Sequence, residues 1–547
     1  MAENISEIQS KTIALIDRLK AITFNAGLGG GGNEYIILTE IFLYKFLNDK
    51  FVHEAKKWNK NLVDAENIQE VFDSMTEDEY DDMCDCMDDV VELRKDQLLT
   101  YIATQRNEPN FAQVLDDALE NIAKSNQSIF FIQNTDNTSD PILHRLSEYV
   151  NGGQKKRDEF CKALIEAITQ FSFEDAFSAG YDFFSTIFEY LIKDYNANGG
   201  GTYAEYYTPH SVASIMAQLL VDPSEDIHSK KCYDPSAGTG TLVIALAHAI
   251  GPQNCTVYTQ DISDKSSTML MLNMILNGFA HSLNHVVHGN TMTDPFHKSE
   301  DGSGDLRKFD YIVSNPPFNL DFSDYHADLK TDPYKGRFFA GIPNIPSKDK
   351  TSMAIYLCFF QHLLYSLNSE GKAAIVVPTG FITAQSGIPQ KIRKYLVEKG
   401  WLRGAISMPS NIFANTNTSV SVVIIDKTNR NNPVFIDASH LGQTIKEGKN
   451  QKTKLSDDDI SMIVGTFRKS EEKKNFSVCP STDDIKSKAY SFSAGQYFEV
   501  VIEYKEITEI HFTSLINEYA ESLEALYKKN KECEDKILVD LKNLSLK

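Results

Sequence analysis

The sequence predicts an α/β protein in which a mostly parallel sheet, covered by helices on both faces, lies between a helical N-terminal domain and a C-terminal coiled-coil helix. Three observations lead to this fold class. From about residue 171, short apolar runs alternate with stretches of helical periodicity, and such strand–helix–strand repetition is typical of parallel sheets. The first 165 or so residues show helical spacing, and the C-terminus carries a heptad pattern.

The composition is that of a globular chain with several domains. It has 547 residues, 42% of them hydrophobic, and 54 Lys plus Arg against 76 Asp plus Glu give a formal charge of −22. The N-terminus lacks a basic segment followed by an apolar core, and the longest apolar run, residues 241–250, reaches about half a membrane span. Eight cysteines form no CxxC pair. We therefore expect a reduced, cytoplasmic protein without structural metal or membrane contact.

The acidic balance restricts how this chain could bind nucleic acid, because isolated nucleic-acid binders usually carry an excess of Lys and Arg. Either it avoids nucleic acid, or its basic groups share one face, or a partner supplies most phosphate contacts. Much of the acidity is local, since residues 77–92 hold nine acidic residues and neither Lys nor Arg. We interpret this segment as a solvated helix face or loop, with a docking or charge-repelling surface as the alternative.

Residues 1–165 are predicted to form the helical N-terminal domain. Apolar residues recur at three- and four-residue spacing at Ile8, Ile13, Ile16, Leu19 and Ile22. The pattern returns at residues 36–51, after a glycine-rich run at residues 27–32. That run lacks the Lys-Ser/Thr of a phosphate loop and a preceding strand, so we interpret it as a flexible connector, with a loop that orders on binding as the alternative.

Residues 166–440 are predicted to form the sheet domain. Its strands are predicted at residues 231–234, 256–260, 285–288, 309–314, 373–378, 403–408 and 419–426. Helices are predicted at residues 241–250, 263–277, 352–367 and 390–399. Because only a short polar stretch separates the last two strands, they are predicted to form an antiparallel hairpin at the sheet edge.

Residues 441–500 are predicted to form a connector and peripheral segment, which begins with four lysines, Lys446, Lys449, Lys452 and Lys454. Residues 501–547 are predicted to form a helix for subunit association. Its heptad positions are Ile516, Leu523, Asn530, Ile537 and Leu544 in one series and Tyr519, Leu526, Cys533 and Asp540 in the other. An Asn within an apolar series is a feature that fixes register in coiled coils, which favours an intermolecular coil over packing on the same chain.

A glycine motif, Asp-Pro-Ser-Ala-Gly-Thr-Gly at residues 234–240, follows one predicted strand and opens a helix. Ligands bind at this place in open α/β sheets, because the glycines allow close approach and the helix N-terminus offers free amides. Val243 replaces the third glycine of the dinucleotide fingerprint, which argues against NAD. Asp261 ends the next strand, where its carboxylate could accept both ribose hydroxyls. Together these features indicate an adenosine-bearing ligand, with a purely structural turn as the alternative.

The sharpest signal is Asn315-Pro316-Pro317-Phe318, which ends another predicted strand. Two prolines fix the backbone, so that the Asn amide oxygen and the Pro316 carbonyl can accept both hydrogens of an exocyclic amine. Phe318 can stack on the ring that carries this amine. The pattern favours a site for a planar amino base, whereas Pro-Pro that merely ends a strand is the alternative.

In this order, the motifs resemble those of S-adenosylmethionine-dependent amino-methyltransferases. Residues 205–210, Glu-Tyr-Tyr-Thr-Pro-His, narrow the match because they resemble the G-E-F-Y-T-P element of the modification (M) subunit of type I restriction-modification systems. Ala204 replaces the usual Gly. Thr208 is also predicted to cap the following helix. The resemblance covers roughly residues 172–430 and implies a Rossmann-like methyltransferase sheet.

The resemblance implies a cofactor site and a target-base site. The cofactor, S-adenosyl-L-methionine, would be bound by Glu205, Tyr206, Tyr207, Thr208, Pro209, His210, Asp234, Ser236, Ala237, Gly238, Gly240 and Asp261. The target adenine would be held by Asn315, Pro316, Pro317 and Phe318. Asn290 stands where related enzymes have an Asp, and is therefore not assigned to the site.

The activity implied is site-specific methylation of adenine N6 in double-stranded DNA by direct displacement on a flipped-out base. Methylation of cytosine C5 would require a nucleophilic cysteine, usually after proline, and no Pro-Cys occurs. Because neither a helix-turn-helix nor a Walker motif is present, a separate specificity (S) subunit would read the DNA and a separate restriction (R) subunit would cleave it. Two M subunits per complex are expected.

Three alternatives stay open at this stage. Related motifs occur in enzymes that methylate protein glutamine or RNA amino groups, and the chain could also be an assembly subunit with an idle pocket. The third concerns residues 320–350, which are rich in Pro, Gly and aromatic residues and include Lys335 and Arg337. This segment could close over the flipped base or be a disordered insertion.

Overall fold

The computed structural model describes residues 2–29, 32–87, 90–177, 190, 208–413, 419–447, 450–498 and 508–543. The chain divides into two compact units, residues 1–497 and residues 498–547. The first unit contains a large sheet with helices on its faces. The second contains one long helix.

Helices dominate the N-terminal part, as predicted. They are α1 (Ala2–Asn25), α2 (Gly32–Trp58), α3 (Ile68–Ser74), α4 (Glu77–Asp85), α5 (Leu99–Thr104), α6 (Phe111–Ser125), α7 (Gln127–Phe130) and α8 (Gln154–Ile168). The acidic segment begins with α4. A capping box between Thr76 and Glu79 stabilises the start of this helix, and Tyr80 and Met83 form its buried face. Acidic side chains therefore occupy the exposed face of this helix, as the first interpretation expected.

An eleven-stranded sheet forms the centre of the first unit, in the order β13-β10-β8-β9-β7-β6-β3-β4-β5-β1-β2. Its strands are β1 (Phe131–Asn134), β2 (Ser139–Pro141), β3 (Lys230–Asp234), β4 (Cys255–Asp261), β5 (Val286–His288), β6 (Phe309–Ser314), β7 (Leu367–Pro378), β8 (Leu402–Ser407), β9 (Val420–Asp426), β10 (Val434–Asp437) and β13 (Ser477–Val478). All seven predicted strands are present. β3, which ends at the glycine motif, pairs in parallel with both β4 and β6. The strand before Asn315 is therefore parallel to the strand before the glycine motif.

Two features of the sheet differ from the predictions. β8 and β9 are antiparallel as predicted, but their predicted place at the sheet edge is wrong, because β10 and β13 continue the sheet beyond β8. At the other side, β1 and β2 come from the N-terminal part of the chain, and β1 pairs in parallel with β5. Both outermost strands, β2 and β13, are only two or three residues long.

The remaining helices of the first unit connect and cover the strands. They are α9 (His210–Leu220), α10 (Thr241–Ile250), α11 (Asp264–Leu276), α12 (His326–Lys330), α13 (Tyr356–Ser366), α14 (Gly380–Thr383), α15 (Gly387–Glu398), α16 (Asp457–Lys469) and α17 (Thr482–Ser487). Residues 373–377 of β7 are fully buried, as expected for a strand covered on both faces.

The predicted connector contains a separate two-stranded antiparallel hairpin, β11 (Gln443–Glu447) and β12 (Asn450–Lys454). The second unit contains the predicted terminal helix, α18 (Glu509–Asn543). The heptad residues from Ile516 to Ile537 are exposed, as Leu523 at 55% and Leu526 at 61% illustrate. Association through this helix stays a prediction.

All eight cysteines are free thiols. Within the described ranges, no three His, Cys, Asp or Glu side chains are grouped so that they could hold a metal ion. None of the helices described above combines the length and the apolar character needed to cross a membrane.

Candidate active site

Three of the predicted site residues lie at the carboxyl ends of three neighbouring parallel strands. Asp234 ends β3, Asp261 ends β4, and Asn315 follows β6. A hydrogen bond of 2.8 Å between the hydroxyl groups of Ser236 and Ser314 joins the glycine motif to the end of β6. The site therefore lies where open α/β sheets bind ligands.

The glycine motif turns sharply between β3 and α10. Gly240 has a φ of +82°, and a Cβ atom there would lie 2.2 Å from Cδ1 of Leu270. Both the backbone conformation and the packing thus require glycine. The turn leaves the first amides of α10 facing the loop, which supports the role that the sequence predicted for this motif.

Asp261 organises the loops on both sides of it. Its Oδ2 accepts a hydrogen bond of 2.8 Å from the Gly238 amide, and its Oδ1 accepts one of 2.9 Å from the Ser263 amide. Each carboxylate oxygen keeps a second lone pair, so both can still accept a hydroxyl group. Burial raises the pKa of Asp261, although the hydrogen bonds from these amides act in the opposite direction.

Asp234 is buried beneath the motif, with 1% of its surface exposed. Its Oδ1 accepts a hydrogen bond of 3.0 Å from the Ser236 amide. Burial raises the pKa of Asp234 to about 8. Near neutral pH this side chain is therefore largely protonated in the folded protein and shapes the loop as an uncharged acid.

The raised pKa of Asp234 predicts a pH-dependent effect of the Asp234→Asn substitution. Folding takes up a proton between the usual Asp pKa and about 8, so wild-type stability falls across this range as the pH rises. Asparagine has no such proton linkage and can keep the bond from Ser236. The free energy of unfolding of the variant, relative to wild type, should rise by about 1.4 kcal/mol per pH unit between about pH 5 and about pH 7.

Urea unfolding at several pH values measures this difference. Asp458→Asn is the control, because Asp458 is exposed. Parallel pH curves for Asp234→Asn and wild type would show that Asp234 is ionised in the folded protein.

Asn315 is oriented by a residue from a distant motif. Its Nδ2 donates a hydrogen bond of 3.0 Å to Oγ1 of Thr208, which is buried just before α9. The predicted capping role of Thr208 is wrong, because α9 begins at His210 with Pro209 as its N-cap residue. Since the Asn315 nitrogen is engaged by Thr208, its Oδ1 is the atom left to accept hydrogen bonds from a ligand.

A cavity of about 180 Å³ contains both Asp261 and Asn315 in its lining. Of the other predicted site residues, Ser236, Gly238 and Pro317 also line it. Outside the lining are Asp234, Ala237, Gly240, Thr208, Pro209, His210 and Pro316. Phe318 is also outside it, and its ring centroid lies 6.2 Å from that of Tyr356. Glu205, Tyr206 and Tyr207 lie outside the described residues.

The opposite wall of the cavity was not predicted. It contains Leu320, Tyr325, Ile355 and Phe359, which give it an apolar surface. Asn290 and Thr291 line the cavity as well, although Asn290 was left out of the predicted site. Their place just after β5 could have identified them, because β5 is parallel to β4 and ends at the same edge.

The segment at residues 320–350 is packed in place, so a disordered insertion is the wrong alternative. Arg337 is fully buried and donates to the carboxylate of Asp332, to Nδ1 of His362 and to the carbonyls of Thr291 and Met292. These bonds tie the segment to α13 and to the cavity wall after β5. Closure over a base stays a prediction.

Comparisons with known proteins show which family this chain resembles. A sequence profile described as N-6 DNA Methylase matches residues 179–506. The type I restriction enzyme MpnII methylase subunit of Mycoplasma pneumoniae is 24% identical over 570 residues, which cover 100% of this chain and 98% of that protein. The MjaIX methylase subunit of Methanocaldococcus jannaschii is 26% identical over 373 residues, which cover 65% of this chain and 62% of that protein.

Among solved structures, the chain is similar to the type I restriction-modification system methyltransferase subunit from Streptococcus thermophilus. The TM-score is 0.71 at 22% sequence identity, and the match covers 90% of this chain and 100% of that one. This likeness confirms the predicted fold class.

Proposed function

Because the chain belongs to the N-6 DNA methylase family, we propose that it is the modification subunit of a type I restriction-modification complex and methylates adenine N6 in double-stranded DNA. The observation that supports this most directly is that one cavity is lined by both Asp261 and Asn315. A cofactor-binding carboxylate and a base-binding amide thus face the same space, as transfer between two bound molecules requires.

The cavity suits S-adenosyl-L-methionine, which supplies a methyl group on a positively charged sulfur. Asp261 would accept the ribose hydroxyls with its remaining lone pairs. Ile262, exposed on its outer side and part of the lining, gives an adenine ring an apolar surface. Gly238 lines the cavity, and its backbone allows a ligand to approach closely because glycine has no side chain.

Asn315 and Pro316 would act on the target base. Oδ1 of Asn315 and the Pro316 carbonyl would accept the two hydrogens of the adenine amine, which directs the nitrogen lone pair at the methyl group and stabilises the positive charge that develops on nitrogen. Thr208 fixes the rotation of the Asn315 amide. The base must leave the duplex to reach this cavity, and Phe318 would provide stacking outside it.

The Thr208 hydroxyl is expected to contribute to catalysis through Asn315. Thr208→Val keeps the shape but removes the hydrogen-bond acceptor, so kcat should fall about tenfold while the Kd for S-adenosyl-L-methionine stays unchanged. Thr208→Ser should restore kcat. A higher Kd with unchanged kcat would instead assign Thr208 to the cofactor.

Direct identification of the product tests the proposed function. The native complex is purified through a tag on this chain and incubated with duplex DNA and cofactor that carries a labelled methyl group. We expect label in N6-methyladenine at a defined sequence. Label only in protein or RNA would favour the other amino-methyltransferases, and failure to bind the cofactor would favour an assembly subunit.

We further propose that α18 joins the chain to its complex in the cytoplasm, with an S subunit that reads the DNA, a second M subunit and a separate R subunit. Leu523→Asp places a charge in the apolar heptad series and should weaken association with these subunits at least about tenfold. Leu538→Asp is the matched control, since Leu538 is 54% exposed, as against 55% for Leu523, but lies outside both heptad series. Quantitative co-purification measures both, and equal losses would contradict the heptad assignment.

A further inference from the structure

The β11–β12 hairpin concentrates positive charge in an acidic protein. Between residues 443 and 454 the sequence contains four lysines and one glutamate, whereas the whole chain carries a formal charge of −22. The proposed reaction takes place on DNA, and the methyltransferase motifs described above do not use this hairpin. The positive charge of this hairpin therefore needs a separate explanation.

The base of the hairpin is fixed to the body of the protein. Thr453 is buried, its amide donates to the carbonyl of Asn411 at 2.9 Å, and its hydroxyl donates to the carbonyl of Ser410 at 2.7 Å. The next core residue, Leu455, is buried as well. The hairpin is thus held firmly at β12.

The register separates an inner face from an outer face. Ile445 pairs with Lys452, and Gln443 pairs with Lys454, so these four side chains share one face. Thr453 lies on the other face, towards the body. Ile445 is 38% exposed. Lys454 on this face is exposed, and Lys452 is half-buried.

The hairpin follows the carboxyl end of a strand that points in the same direction as the strands that end at the candidate active site. β9 is antiparallel to both β7 and β8, and β10 is parallel to β8, so the carboxyl ends of β8 and β10 face the same way as that of β6. Asn411 follows β8, and the hairpin follows β10. At about 4.8 Å per strand, β8 and β10 lie about 14 and 19 Å from β6 along the sheet.

We infer that the outer face of this hairpin binds phosphates of the DNA strand whose adenine enters the active site. This inference rests on the proposed function and adds to it a contact surface for the DNA backbone. For a duplex whose axis runs along this row of strand ends, with about 3.4 Å between successive base pairs, the sheet spacing corresponds to a contact about four to six base pairs from the flipped adenine. Lysine ammonium groups on a fixed ribbon bind phosphates without reading sequence, which leaves sequence recognition to the S subunit.

The salt dependence of DNA binding tests this inference. Lys452→Gln combined with Lys454→Gln removes two charges while keeping most of each side chain. Each lost phosphate contact should reduce the slope of log affinity against log salt by about 0.9. Between about 50 and about 200 mM KCl, wild type should therefore lose about tenfold more affinity than the double variant.

The matched control combines Lys230→Gln with Lys231→Gln, which changes the same charge at the amino end of β3, the opposite edge of the sheet. All proteins are measured as the native complex on the same duplex. A wild-type slope for the hairpin variant, in a complex that methylates adenine, would overturn the inference and leave the proposed function standing. Loss of a subunit from the variant complex would overturn it in favour of protein docking. A wild-type complex that neither binds nor methylates DNA would overturn both proposals.

Discussion

Asn315→Ala is expected to lower kcat for adenine methylation by about 10²- to 10³-fold while the Kd for the cofactor changes little. Alanine removes the acceptor that Thr208 leaves available to the target amine. The nitrogen then reacts without the hydrogen bond that polarises its N–H bond and orients its lone pair. Single-turnover assays with saturating DNA, together with calorimetric titration of the cofactor, separate the chemical step from binding.

The control for this variant is Asn319→Ala, which removes the same side chain four residues further on, at an exposed position outside the cavity lining. It should retain wild-type kcat. A normal kcat for Asn315→Ala would remove the basis of the proposed chemistry. A parallel loss of cofactor binding would indicate that the amide supports the cavity rather than the base.

Asp261→Ala is expected to weaken cofactor binding at least about 100-fold, because two hydrogen bonds to a charged acceptor contribute about 1.5–3 kcal/mol each. The substitution also leaves the amides of Gly238 and Ser263 without their acceptor. Asp261→Asn keeps one acceptor oxygen and should give an intermediate Kd. Calorimetry measures both values.

A structural role alone would give a different pattern for Asp261. Both variants would then lower the melting temperature of the protein without cofactor and would bind the cofactor normally at low temperature. Equal Kd values for wild type and Asp261→Ala, in folded protein, would assign the ribose to another part of the cavity.

The sequence predicted the strands that carry the chemistry because each is an apolar run that ends at a polar motif. The bounds of β6 agree with the prediction at both ends. Three of the strands that were missed lack such a run: β2 is exposed at all three residues, and β11 and β12 are rich in polar residues. β10 is apolar but only four residues long, and missing it led to the wrong edge position of β8 and β9.

Part of the candidate site could also be predicted from the sequence. Asp261 and Asn315 could be placed from the rule that ligands bind at the carboxyl ends of parallel strands. The bond from Asn315 to Thr208 joins residues that are 107 positions apart, and no local pattern encodes it. The apolar part of the lining joins Leu320 and Ile355 to residues that follow β4, β5 and β6, and sequence periodicity does not report such tertiary packing.

The short outer strands of the sheet have a consequence for how such a subunit assembles. β2 has three residues and ends in Pro141, and β13 has two, so neither margin offers a run of unsatisfied amides and carbonyls for another chain to extend. A sheet of eleven strands would otherwise be a hazard for uncontrolled polymerisation during synthesis. Because both edge strands of this sheet are so short, other polypeptides would bind the sheet through side-chain contacts, which can distinguish the right partner from a wrong one.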